Sequence, residues 1–323
     1  QEPKNWKGYY EIYNAGQLFW FAKQFIDGKI SNKSNLKLMK DIKIPDGHDW
    51  TSIGNIDDDD KSFKGTIEGN YHVISGLRPA NDGTSFKRGL VAKITHGSVQ
   101  NIGLVLEDGW TFGLCYTAMY DIKIQNCFVV GTNFLNSCKD GAVTNCLAVS
   151  GKLEETKYSN NHRATFTNCY ETTKGSNSSR GEITTIDSEE KLKSGEIAYK
   201  LNGDQSDGTW GQVIGTEDYP HFRKYSKTVY YDQATKTYSN NKAASITSAT
   251  VTDIKTISDK KATATLKATG TPKAEVKFFL TSGEDERTLE DMFLNGTSLQ
   301  ESSSGNYEYT IQDLAPDKEY HVR

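Results

Sequence analysis

"IQNCFVV" at residues 124–130 places Asn126 and Cys127 in the middle of an otherwise strand-like apolar run, and the pattern returns as "VTNCLAV" at 143–149 and "FTNCYET" at 166–172. The three thiols are a metal site, a disulfide set or core residues, and the choice decides the fold. Extending the alignment upstream adds "ISGLRP" from Ile74 and "VQNIGLV" from Val99, at intervals of 25, 25, 19 and 23 residues. The stretches between them, such as "THGS", "LEDGW", "NSCKDGA" and "SNNH", are rich in Gly, Asn, Asp and Ser and read as turns. A unit this short cannot bury its own apolar face, so neighbouring units must stack. Short β segments at this period, with no long helix, predict a parallel β-helix, a solenoid.

Within each unit the alternation of sides breaks at the Asn. Ile122 and Ile124 lie in phase, as do Cys127 and Val129, but an odd step separates the pairs. The chain must bend there, and Asn tolerates the left-handed backbone that such a corner requires. Asn101, Asn126, Asn145 and Asn168 are therefore expected to stack as a ladder about 4.8 Å apart, with bonded amides. On this phase Ile102, Cys127, Cys146 and Cys169 point inward, the cysteines acting as small buried apolar groups. Three thiols in one straight row cannot converge on a tetrahedral metal, so no metal site is expected. Stacked side chains point the same way rather than toward each other, which disfavours a disulfide. An odd total of five cysteines agrees.

Composition narrows the function classes. With 35% hydrophobic and 11% aromatic residues, the 323-residue chain can build two folded domains. A formal net charge of −4 without a basic cluster leaves no footprint for nucleic acid. No apolar run of about 18 residues occurs, so no membrane insertion is expected within this chain. A chain that begins at Gln rather than Met is expected to have lost any signal or anchor by processing.

Upstream of the repeats, Leu18, Phe21, Ala22, Phe25 and Ile26 fall at helical spacing. Asn14 and Gln17 resemble a capping box and Gly28 closes the segment. This helix is expected to cap the open end of the solenoid. A second helical pattern, "SEEKLKSGEIAYKLNG", starts at Ser188. The solenoid with its cap is placed at 1–225, and a hairpin with linker at 226–243. From 244 to 323, "SITSATVTDI", "KATATLKATG", "AEVKFFLT" and "NYEYTIQDL" have the spacing and alternation of a β-sandwich. Leu314, Pro316 and Tyr320 in "LAPDKEY" are placed as in the tyrosine corner of fibronectin type III and immunoglobulin-like domains. The chain stops at "HVR", within what would be the penultimate strand, so a longer parent protein or a missing last strand is expected.

The ordered segments "YEIYNAGQLFWFAKQFIDGK", "LKLMKDIKI", "FKGTIEGNYHVISGL", "GLVAKITHGSVQNIGLV" and "SGEIAYKLNGDQ" resemble the GLUG-motif surface proteins of gut bacteria, over roughly residues 8–240. The motif's Gly-Leu-bulky-Gly core corresponds to Gly89, Leu90, Val91 and Ala92, with Ala in place of the last Gly. The resemblance implies a right-handed β-helix, secretion, and a surface or adhesin-like role without catalysis.

No catalytic constellation is legible. The six histidines, at 48, 72, 96, 162, 221 and 321, show no paired spacing, and neither a nucleophile elbow nor a P-loop occurs. A polysaccharide lyase or hydrolase would need carboxylates in register on neighbouring units, and Glu107, Asp108, Asp121 and Asp140 do not recur that way. Asp57–Asp60 diverge too much for a Ca²⁺ loop and read as solvated. No cofactor is implied, and the sequons at Asn32, Asn177 and Asn295 read as incidental. Aromatic residues carry the one binding signal: Trp50 and Trp110, in turn-like segments, with Tyr116 and Tyr120, could stack on sugar rings. The expectation is a monomeric, extracellular or surface-anchored protein that binds a glycan or a host surface protein. The rival is a polysaccharide-degrading enzyme.

Overall fold

The computed structural model describes residues 1–80, 89–106, 109–155, 164–173, 181–233, 235–242, 246–258, 261–272, 276–281, 296–315 and 318–322. Glu107, Asp108, His162, Asn177, Asn295 and Pro316 lie outside them. The chain divides into two units, Gln1–Asn241 and Lys242–Arg323. Among the described residues no helix is long and apolar enough to cross a membrane.

The corners are set by backbone that only a few residue types accept. Asn101, Asn126, Asn145 and Asn168 all have left-handed φ, at 56°, 52°, 52° and 51°. Each Nδ2 donates to the preceding Oδ1: Asn126 to Asn101 at 3.0 Å, Asn145 to Asn126 at 3.2 Å and Asn168 to Asn145 at 2.9 Å. Asn101 Nδ2 donates in turn to the Glu68 carboxylate at 3.1 Å, and the Tyr170 hydroxyl donates to Asn168 Oδ1 at 3.0 Å. Every amide thus points its N–H end toward Glu68, where an anion terminates an aligned row of dipoles. The residues that follow, Ile102, Cys127, Cys146 and Cys169, are fully buried.

In the first unit β1 (Tyr9–Ile12), β2 (Asn35–Leu38) and β3 (Thr66–Pro79) pair side by side and parallel. They lead to β4 (Val91–Thr95), β5 (Ser98–Leu106), β6 (Phe112–Gln125), β7 (Phe128–Val130), β8 (Asn133–Thr144), β9 (Leu147–Val149) and β10 (Thr165–Glu171). β5 pairs β7 (Leu104 with Val129), β7 pairs β9, and β9 pairs β10 (Leu147 with Tyr170). β10 pairs β8 (Phe166 with Val143), β8 pairs β6, and β6 returns to β5 (Ile124 with Val99). All six ladders are parallel.

The described strands, 52% of the structure, therefore include a closed six-strand parallel barrel, with other small antiparallel sheets elsewhere. This corrects the right-handed β-helix solenoid with a capping helix. The cause lies in the bends: β5 and β10 run unbroken through Asn101 and Asn168, so each carries one ladder before the corner and another after it, and the pairing closes through them. Helix α1 (Ala15–Ile26) is part of the wall, because its Leu18, Phe21, Ala22 and Phe25 belong to the same core as Ile67, Ile94 and Cys127. The Asn14 side chain accepts from Gln17 N at 3.0 Å, while Gln17 Oε1 accepts from Tyr13 N at 2.7 Å.

Alternation supplies a second core on the outer face. Cys127 and Val129 face the first core, whereas Phe128, Leu147 and Val149 face outward under α2 (Glu196–Leu201), Trp210 and Phe222. Gly103 is required there, since a Cβ would stand 2.2 Å from the Phe128 ring.

In the second unit, strands Ile246–Ser258, Lys261–Gly270, Asn306–Leu314 and Gln300–Ser303 form one four-stranded antiparallel sheet, accompanied by two two-stranded antiparallel sheets. Leu266, Phe278, Leu299, Tyr307 and Ile311 make its core. Ala315 N–H donates to the Tyr320 hydroxyl at 3.0 Å.

Candidate functional site

Two of the four aromatic residues read as a binding face are turned inward. Trp50 is 1% exposed and its Nε1–H donates to Leu90 O at 3.3 Å; Trp110 is 9% exposed and donates to Leu77 O at 2.8 Å. Both are corrected from ligand-stacking rings to core residues. Carbonyls within reach let each indole bury its ring without orphaning its N–H. Tyr116 is half-buried and packs edge-on against Phe112, centroids 5.4 Å apart.

Tyr120 sits differently. Lys139 pairs with Met119 and Gly141 with Ile122, so Tyr120 and Asp121 on β6 stand opposite Asp140 alone. This is a β-bulge, which re-aims side chains out of the ladder. Tyr120 and Asp121 take left-handed φ of 61° and 54°, and for a bulky tyrosine that conformation costs about 1–3 kcal/mol. His96, at the end of β4, is held at the same corner: its N–H is shared between Met119 O at 3.2 Å and Tyr120 O at 2.9 Å.

The result is a pillar that crosses three strands. Lys139 on β8 places its Nζ 5.4 Å from the centroid of the half-buried Tyr120 ring on β6. That ring stacks on His96, centroids 5.5 Å apart and planes 22° apart. The Asp121 carboxylate lies 3.8 Å from His96 Nδ1, and the two side chains are 91% and 59% exposed. A ring pair, a phenol, an imidazole, an ammonium and a carboxylate converge on a rigid base. Such a set binds polyols or peptide surfaces by stacking and hydrogen bonding.

A second polar cluster fastens residues 221–227 to β3. Lys224 Nζ lies 3.0 Å from Nε2 of the buried His72, and an ammonium can only donate, so Nε2 accepts and Nδ1 carries the ring proton. His72 Nδ1 then donates to Asp41 Oδ1 at 3.0 Å, with the Tyr225 hydroxyl 2.6 Å away. Burial first, and then the Asp41 charge, push the Tyr225 phenol up to about 12.

All five cysteines are buried free thiols. Cys127, Cys146 and Cys169 donate to the carbonyls two residues back, at 3.1, 3.3 and 3.3 Å. Burial pushes Cys115 up to about 12 and raises Cys138 and Cys146 well above the ordinary thiol value. These groups are core, not chemistry.

His96 and Lys139 escape a motif search because neither lies in a recognisable spacing. The usable signal was turn chemistry: "THG", "YD" and "KDG" recur where the bends fall. No family model matches the chain, and neither does any curated protein or solved structure.

Proposed function

We propose that the protein is a secreted or cell-surface binding and display protein, without catalytic activity, that recognises a glycan or a surface protein. The observation that carries this reading is the part-exposed Lys139–Tyr120–His96 pillar with Asp121, held on three parallel strands by a strained bulge. Such rigidity limits the ordering cost of binding. The resemblance to GLUG-motif surface proteins supports the same role and an extracellular location.

The test is a glycan and surface-protein array probed with the wild-type chain and Tyr120→Ala. Binding weakened about tenfold or more by the substitution is expected, in line with the loss of one stacking ring. Binding that Tyr120→Ala leaves unchanged removes this face from the account.

The rival is a polysaccharide lyase or hydrolase, favoured by the convergence of Asp41, His72, Lys224 and Tyr225. Pooled polysaccharides incubated with the protein would then yield new reducing ends or unsaturated products, and His72→Ala would abolish them.

A further inference from the structure

We infer that the groove along the outer side of α1 binds a short neutral oligosaccharide; this rests on the glycan reading above and adds a second sugar surface to it. A helix with one core face is expected to be polar on the other. Here the second side of α1 carries Phe19, Trp20 and Ile26. Two clefts, of about 530 and 450 Å³, lie along it and share Ile26, which is 45% exposed. Their lining runs along α1 from Gly16 to Ile26, about 15 Å of helix, enough for a short oligosaccharide.

The first cleft is an aromatic slot. Phe19 and Trp20 line it with Thr51, and Tyr10 supports Trp20 from 5.9 Å. Unlike those of Trp50 and Trp110, the Trp20 indole N–H makes no hydrogen bond among the described residues. The slot therefore offers ring faces for the C–H side of a sugar, with a donor beside them.

The second cleft supplies fixed polar groups. Asn32 Nδ2 donates to Asp60 O at 2.8 Å, which leaves its Oδ1 as an acceptor. Asn55 Oδ1 accepts from Asp57 N at 2.8 Å, which leaves its Nδ2 as a donor. Each amide is held by one end and presents the other, the preorganisation that vicinal hydroxyls require. Charge narrows the saccharides. Asp27 is paired with Lys23 at 2.7 Å and Lys29 at 3.3 Å, Asp60 with Lys64 at 3.9 Å, and Lys61 with Asp58 at 3.4 Å. Each charged residue that lines this cleft already has an ion partner, so the cleft fits neutral sugars rather than charged ones.

The experiment is a panel of neutral, amino and acidic oligosaccharides titrated calorimetrically against wild type, Trp20→Ala and Asn55→Ala, each checked for a native melting transition. Binding of neutral members is expected, weakened about tenfold in both groove variants. Tryptophan emission should also shift on binding in the wild type and not in Trp20→Phe. Asn55→Ala alone decides the matter if Trp20→Ala fails to fold. Binding of charged sugars only, or binding that Asn55→Ala leaves unchanged, overturns the groove and leaves the glycan reading standing. Absence of saccharide binding overturns the groove and the glycan reading together.

Discussion

Asn126 combines two side-chain bonds and a backbone conformation that can be separated by substitution. Alanine removes the bond to Asn101 at 3.0 Å and the bond from Asn145 at 3.2 Å, at about 1 kcal/mol net for each. It also holds an ordinary side chain at φ 52°, for roughly another 1 kcal/mol. Asn126→Ala should therefore destabilise by about 3 kcal/mol, a fall of roughly 6–12 °C in Tm for a unit of this size. Asn126→Gly keeps the left-handed backbone and loses only the bonds, so about 2 kcal/mol is expected. Asn126→Asp should be at least as damaging as Ala, because a carboxylate cannot donate and would face the Asn101 oxygen. All five tryptophans, at 6, 20, 50, 110 and 210, lie within residues 1–241, so the urea dependence of tryptophan emission reports on this unit. An alanine variant within about 0.5 kcal/mol of wild type, or a glycine variant as stable as wild type, would refute the ladder as a source of stability.

Two further outcomes follow from titratable groups whose values the fold raises. A water-soluble disulfide reagent should leave all five thiols untouched between about pH 7 and 9 until denaturant is added, since each is 0% exposed and Cys115 is pushed up to about 12; native reaction at Cys127, Cys146 or Cys169 would overturn their inward placement. Tyr225 keeps its proton longer folded than unfolded, because its value is raised from 10.0 to about 12. Its contribution is thus fully present below about pH 10 and lost as pH rises through about 12. Denaturation midpoints measured across that window should fall less steeply in Tyr225→Phe than in wild type, and equal slopes would show that the phenol is not held by this cluster.

The corners were legible because alternation with period two leaves no freedom at an odd step. Ile124 and Cys127 cannot both face inward along one straight strand, so the residue between them must turn, and Asn is the residue type that turns at least cost. How the ladders join was not legible. Alternation says which side a residue faces and nothing about which strand lies beside it. Within β5, Val99 pairs with Ile124 while Leu104 pairs with Val129, and no local pattern announces that one strand serves both. Closure of the ring through β5 and β10 is a property of those long-range pairings. The same limit separated the His72 cluster in sequence, since Lys224 meets a histidine 152 positions away.

Turn-like surroundings misplaced the indoles, because a turn fixes where the backbone goes and not whether a ring folds back beneath it. The tyrosines allow a sharper distinction. Tyr71 and Tyr120 both occupy left-handed backbone at φ 61°, a conformation that glycine or asparagine would adopt with less strain. The Tyr71 ring packs edge-on against Phe222, centroids 5.6 Å apart, over the second core, so burial offsets its strain. The Tyr120 ring is half-buried as well, but it lies between His96 and Lys139 and packs against neither of the first unit's two cores. Packing accounts for the first residue and leaves the second without a reason inside the fold. A strained, bulky side chain whose local rule is broken with no compensating core packing is where a demand other than folding has to be sought. That contrast ties the binding reading to Tyr120 rather than to the buried tryptophans.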